Sequence, residues 1–203
     1  SMGADALGAN TTGSFNLAIG DQALASSQTL SGLTAIGFQA LGNNNNSGAR
    51  NTAVGFQAMV SNTSGVDNNA FGYVALGSNT TGSYNVAFGG NAMFSNTTGS
   101  ENIAFGYKPL FSNTTGSGNT AVGYYALYNN TTAGSNTALG YASLFTNTTG
   151  TKNIGLGYEA LFYNTTGSQN IGIGYQALGN NTTGSSNFGL GANSLLTNTT
   201  GAN

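Results

Sequence analysis

Apolar and polar residues recur along this chain with a period of 17 residues. The segment at 153–169, NIGLGYEALFYNTTGSQ, returns at 170–186 as NIGIGYQALGNNTTGSS. Each copy carries a short apolar run that ends in glycine, a second apolar run, and a polar Asn-Thr-Thr-Gly-Ser segment. Self-similarity at a short fixed period predicts a solenoid, in which each repeat is one structural unit stacked on the next.

The glycine that ends the first apolar run serves here as the index glycine of each copy. Successive index glycines lie 17 residues apart, except for one interval of 18 residues between Gly37 and Gly55. This gives twelve copies, of which the first and the last are incomplete. The index glycines are Gly3, Gly20, Gly37, Gly55, Gly72, Gly89, Gly106, Gly123, Gly140, Gly157, Gly174 and Gly191.

The apolar run before the index glycine predicts a short β-strand, and the run Tyr-x-Ala-Leu-Phe after it predicts a second one. The Asn-Thr-Thr-Gly-Ser segment predicts a turn, with its asparagine as a turn former. A glycine in every copy leaves no uninterrupted helical window. The expected fold is therefore all-β: a parallel β-solenoid or β-roll with one coil per 17-residue repeat and about twelve coils.

We expect one repeat domain over residues 1–203, cut from a longer fibre, with irregular coils at 25–50. There Ser27 replaces the turn asparagine, Leu30 and Leu33 depart from the pattern, and an extra residue falls near 43–46. We interpret this segment as a local bulge or loop.

Side chains alternate along a strand, so Val86 and Phe88 point one way and Ala87 the other. The interior of the coil accounts for one of these faces. The column of Ala and Gly on the other face allows close approach of another layer, which is either the opposite wall of a thin coil or a neighbouring chain.

Asparagine precedes the index glycine by four residues in nearly every copy, and Leu33 is the exception. In-register stacking places each such side chain over the next, where amide groups form hydrogen-bonded ladders. The predicted Asn ladder comprises Asn85, Asn102, Asn119, Asn136, Asn153 and Asn170.

The phrase N-x-A-x-G, as in NVAFG at 85–89 and NTAVG at 119–123, resembles the head repeats of YadA-like trimeric autotransporter adhesins. Similar repeats occur in phage tail fibres. The resemblance extends over essentially the whole chain, although that family's repeat is usually shorter and the surplus here lies in NTTGS. It implies a left-handed β-roll, three chains packed side by side around a threefold axis, and a place on a cell surface or virion. It also implies attachment to a host-surface glycan or protein receptor.

Composition narrows the choice of chemistry. The chain has three Lys or Arg, five Asp or Glu, no His and no Cys, with a net charge of −2. Clustered Lys and Arg that would bind nucleic acid are missing, and no apolar run is long enough for a membrane span. The acidic residues occupy scattered repeat positions, so we expect no catalytic site, no metal site, no cofactor and no enzymatic activity.

Two files of side chains are candidate functional surfaces. The first file follows the index glycine directly, and packing inside the coil or between chains is the favoured interpretation, with a glycan-binding strip as the functional one. Its members are Tyr107, Tyr124, Tyr141, Tyr158 and Tyr175.

The second candidate is the pair of threonines in each polar segment, which could form a flat ice-binding array. Adjacent threonines point to opposite faces of a strand, which counts against a single array. The two files are Thr97, Thr114, Thr131, Thr148 and Thr165, and Thr98, Thr115, Thr132, Thr149 and Thr166. Ice binding is therefore the alternative to a structural and adhesive fibre.

Overall fold

The computed structural model describes residues 2–44 and 48–201. It confirms an all-β parallel solenoid: eleven strands form one sheet in sequence order, and no described residue is helical. The strands are β1 (Leu17–Ile19), β2 (Thr34–Ile36), β3 (Thr52–Val54), β4 (Asn69–Phe71), β5 (Val86–Phe88), β6 (Ile103–Phe105), β7 (Thr120–Val122), β8 (Thr137–Leu139), β9 (Ile154–Leu156), β10 (Ile171–Ile173) and β11 (Phe188–Leu190).

Each strand pairs in parallel with the equivalent strand of the next coil, position for position. Ala87 of β5, for example, pairs with Ala104 of β6. Each coil therefore advances the chain by one strand spacing, about 4.8 Å, and the ten spacings of the sheet span about 48 Å.

The second apolar run is not a strand, and that prediction was wrong. It forms turns in every described coil, because its alternate residues adopt left-handed backbone angles, such as φ of 50° at Gln176 and 54° at Leu178. These angles break the extended geometry of a strand. The segment still bonds to both neighbouring coils: the Leu161 N–H donates to the Ala177 carbonyl over 3.0 Å, and the Gln176 N–H donates to the Tyr158 carbonyl over 2.9 Å.

The interior is thin and is closed by the coil itself. Ala87 is fully buried, whereas Phe88 is 49% exposed, so the central residue of each strand points inward and its neighbours point outward. A Cβ placed on Gly155, which occupies the same inward position, would meet the Ser143 hydroxyl and Leu144 of the second apolar run. The small-residue column therefore faces the opposite wall of its own coil rather than a neighbouring chain.

The index glycines are required by the stacking. Gly123 has a φ of 139°, and a Cβ on it would overlap the carbonyl oxygen of Gly140 in the next coil. Only glycine combines this backbone angle with such a close approach.

The irregular coils at 25–50 keep the sheet intact, since β2 pairs in register with both β1 and β3. Their departure lies in the interior: Leu33 is fully buried in place of an asparagine, and the buried Ser27 hydroxyl has no hydrogen-bond partner. The extra residue predicted near 43–46 falls partly on residues 45–47, outside the described part of the chain.

Candidate functional site

The predicted Asn ladder lies inside the coil, next to the N-terminal end of each strand. All six predicted side chains are fully buried. Asn85 Oδ1 accepts the backbone N–H of Asn102 over 3.0 Å, and Asn102 Nδ2 donates to the carbonyl of Gly116 over 2.9 Å. These side chains thus bond mainly to backbone groups, and the direct amide contact between Asn102 Nδ2 and Asn85 Oδ1 is longer, at 3.2 Å.

A second buried ladder was missed by sequence analysis, which treated its members as turn formers. Asn113 Nδ2 donates to Asn96 Oδ1 over 2.8 Å and to the carbonyl of Gly116 over 3.0 Å. The Gly116 carbonyl therefore accepts a hydrogen bond from each ladder, and it links the two across the coil. The members of the second ladder that are fully buried are Asn44, Asn62, Asn79, Asn96, Asn113, Asn130, Asn147, Asn164 and Asn181.

The threonine files do not share one surface. Thr97 is half-buried, and its hydroxyl and its N–H both donate to the carbonyl of Thr114 in the next coil, over 3.0 Å and 2.9 Å. Thr114, Thr131, Thr148 and Thr165 repeat this hydroxyl bond. The second file, represented by Thr98, is exposed. One file therefore stabilises the stack, and only the other is free to contact a partner.

The tyrosines after the index glycine lie outside the coil, with exposures between 41% for Tyr107 and 50% for Tyr175. Neighbouring rings stack, as between Tyr141 and Tyr158, whose centroids are 5.0 Å apart at 9°. Packing inside the coil is thus wrong for this file. A hydrogen bond to Tyr125, with partial burial, raises the pKa of Tyr124, and partial burial followed by the charge of Glu159 raises the pKa of Tyr158.

A second aromatic file, here called the Phe file, runs five residues after the index glycine. Its rings are half-buried and nearly parallel, with centroids 5.1 Å to 5.3 Å apart. It consists of Phe94, Phe111, Tyr128, Phe145 and Phe162.

The outward side chains of the strands form a third exposed surface, here called the outer sheet face. The last residue of every strand is apolar, and Phe88 stacks on Phe105 with centroids 5.3 Å apart. Leu139 and Ile103 are also exposed on this face. Sequence analysis did not assign this orientation, because strand alternation alone does not decide which side is the interior.

Charged chemistry is sparse among the described residues. Arg50 and Asp67 form a two-bond ion pair, with both N–O distances at 2.7 Å, which lowers the pKa of Asp67 through the hydrogen bond and the charge of Arg50. Within residues 2–44 and 48–201, no group of three His, Cys, Asp or Glu side chains could hold a metal ion. The same residues contain no helix long and apolar enough to cross a membrane.

No family model, no curated protein and no solved structure matches this chain.

Proposed function

We propose that the chain is a structural and adhesive fibre segment without enzymatic activity, located at a cell surface or on a virion. Several copies, three by resemblance to the trimeric adhesins, pack side by side through the outer sheet face. The remaining surface, which includes the tyrosine file, attaches to a host-surface glycan or protein receptor.

The exposed apolar strip on the sheet side carries the proposal. From the outer sheet face to the tyrosine file, five residues at about 3.3 Å each across a length of about 48 Å give roughly 800 Å². The largest exposed apolar patch on a typical monomer is about 300–600 Å², whereas a standard interface buries about 800 Å² on each partner. The strip therefore has the area of one side of a stable interface.

Solution mass tests the association. We expect about three times the chain mass of 20.3 kDa by light scattering. The double variant Phe105→Lys and Leu139→Lys places two charges on the outer sheet face and should shift the mass to that of one chain with an unchanged circular dichroism spectrum. Thr115→Lys, in the exposed threonine file, is the matched control and should keep the oligomer. A wild-type chain that is monomeric at about 100 μM contradicts the association.

Attachment is tested separately by measuring retention of protein-coated beads on a glycan-bearing cell surface. Replacing Tyr124 and Tyr141 together with Ala removes two adjacent rings of the tyrosine file. We expect retention to fall while the oligomer persists. Unchanged retention with a lower melting temperature would instead assign this file to packing between chains.

Ice binding is the second candidate, and the exposed threonine file supports it. Thr98, Thr115, Thr132, Thr149 and Thr166 all lie on the surface and repeat at the strand spacing. Thermal hysteresis at millimolar protein is the test, with Thr115→Lys and Thr132→Lys as the disabling variants. Growth of ice crystals at the equilibrium melting point in wild-type solution would eliminate this candidate.

A further inference from the structure

The Phe file is interrupted where glycine takes the place of the aromatic ring. Gly179 follows Phe162 in the file, and Leu196 occupies the next coil. The missing ring leaves a cavity of about 230 Å³ between Phe162 and Leu196, with Gly179 beneath it.

This cavity is one ring thick. Rings of the Phe file repeat every 5.1 Å to 5.3 Å, so the two coil spacings from Phe162 to Leu196 span about 10 Å. Van der Waals contact requires about 3.5–4 Å between carbon layers, which leaves room for one additional layer. Phe162 stacks one face on Phe145 at an interplanar angle of 6°, and its other face borders the cavity.

The rim of the cavity is polar. Gln176 Nε2 donates to Glu159 Oε2 over 2.7 Å, which fixes both side chains at the edge. Asn180 is exposed beside them, and Tyr163, 51% exposed, packs edgewise against Phe162. The occupant must therefore have an apolar face toward Phe162 and hydrogen-bonding groups around its perimeter.

The same arrangement recurs near the start of the chain. Gly42 lies beneath a cavity of about 270 Å³ whose rim carries Gln22 and Gln39, joined by a hydrogen bond of 2.6 Å. Glycine alone does not create the cavity, however. At Gly77, Val74 Cγ1 lies 2.5 Å from the position a Cβ would take, and Val74 fills the space. The open cavities thus occur where a polar residue replaces this valine.

We propose that the cavities at Gly179 and Gly42 are binding sites for single pyranose rings of a glycan. A pyranose presents C–H groups on its faces and hydroxyls around its edge, which matches an aromatic wall with a carboxylate and amide rim. This inference rests on the proposed attachment function, for which it names the contact.

Nuclear magnetic resonance saturation transfer with methyl glycosides of glucose, galactose, mannose and N-acetylglucosamine tests the sites. A ligand of about a dozen non-hydrogen atoms is expected to bind with a Kd of about 1 mM. The double variant Gly42→Phe and Gly179→Phe restores the ring in each gap and should weaken binding at least tenfold. A second pair, Gln22→Val and Gln176→Val, reproduces the closed arrangement at Gly77 and should do the same. Circular dichroism melting checks that each variant is folded.

Tyr158→Ala is the matched control, because it removes a ring of the tyrosine file and leaves both cavities open. Binding that is kept by Tyr158→Ala and lost in both cavity variants supports the sites. Absence of binding to the wild type at 50 mM of every glycoside overturns them, as does binding that survives both cavity variants. Binding of p-cresol without binding of any glycoside also overturns them, because the gap would then accept an aromatic side chain. Bead retention and solution mass are measured on the same proteins, so a failed fibre function remains distinguishable from a failed sugar site.

Discussion

Removal of one amide from the second ladder should destabilise the whole stack, and Asn130→Ala is the sharpest case. The Asn130 side chain is fully buried and makes three hydrogen bonds. Nδ2 donates to Asn113 Oδ1 over 2.8 Å and to the Ala133 carbonyl over 2.9 Å, and Oδ1 accepts from Asn147 Nδ2 over 3.0 Å.

The loss is uneven among the three partners. The Ala133 carbonyl keeps a bond from Asn119, and Asn147 Nδ2 keeps its bond to Gly150, but Asn113 Oδ1 is left without a donor. Three bonds at about 1 kcal/mol each, one of which leaves a buried acceptor unpaired, give a loss of about 3 kcal/mol in the free energy of unfolding. For a chain of this size this corresponds to a fall in Tm of about 6–12 °C.

The assay is guanidinium and thermal unfolding followed by circular dichroism. Asn129→Ala is the control, because Asn129 is the same residue type one position earlier and is only half-buried. Contacts in a solenoid are mainly between neighbouring coils, so a break in mid-stack should also split the unfolding into two steps. A Tm for Asn130→Ala within 2 °C of the value for Asn129→Ala would refute the assignment of a stabilising role to the ladder.

Further outcomes follow from backbone geometry and charge. Gly123→Ala should cost more than 4 kcal/mol because its Cβ overlaps the next coil, whereas Gly118→Ala, with the nearest atom 3.9 Å away and φ of 69°, should cost about 1 kcal/mol by chemical denaturation. Lys152→Gly should stabilise by about 0.5–1 kcal/mol, since a left-handed residue with φ of 58° costs more than the added freedom of glycine when unfolded, and Lys152→Val should show the opposite sign. The lowered pKa of Asp67 means that its pairing with Arg50 stabilises above the unfolded pKa of about 3.9 and is lost as the pH falls through the folded value. The Tm advantage of wild type over Asp67→Asn should therefore vanish on acidification and shrink in high salt.

The part of the fold that follows from local chemistry could be predicted from the sequence. A glycine at a fixed phase, with β-branched and aromatic residues before it, indicates a short strand, and the 17-residue period indicates stacking. The second wall could not be predicted in this way. Leucine at Leu178 ordinarily avoids positive φ, and only the hydrogen bonds to adjacent coils compensate for that preference.

The second ladder left a signal that was available in the sequence. A turn accepts Asp, Ser or Gly as readily as Asn, yet Asn recurs at this position in nearly every copy. The strict choice of amide reflects a side chain that must donate and accept along the stack at once, as Asn113 does. The outer sheet face and the cavity at Gly179 depend on which side of the strand is inward, and alternation alone does not supply that direction.

The register of the sheet pairs every position with the same position one coil away, and this has a consequence for how the length of the protein can change. A junction created by deleting or duplicating one 17-residue unit presents the same partners as the junction it replaces. Ala87 would pair with Ala121 as it now pairs with Ala104, with the same small interior residue on each side. The length of the rod is consequently free to vary by whole coils through recombination between the repeated coding segments, with no compensating substitution elsewhere in the chain.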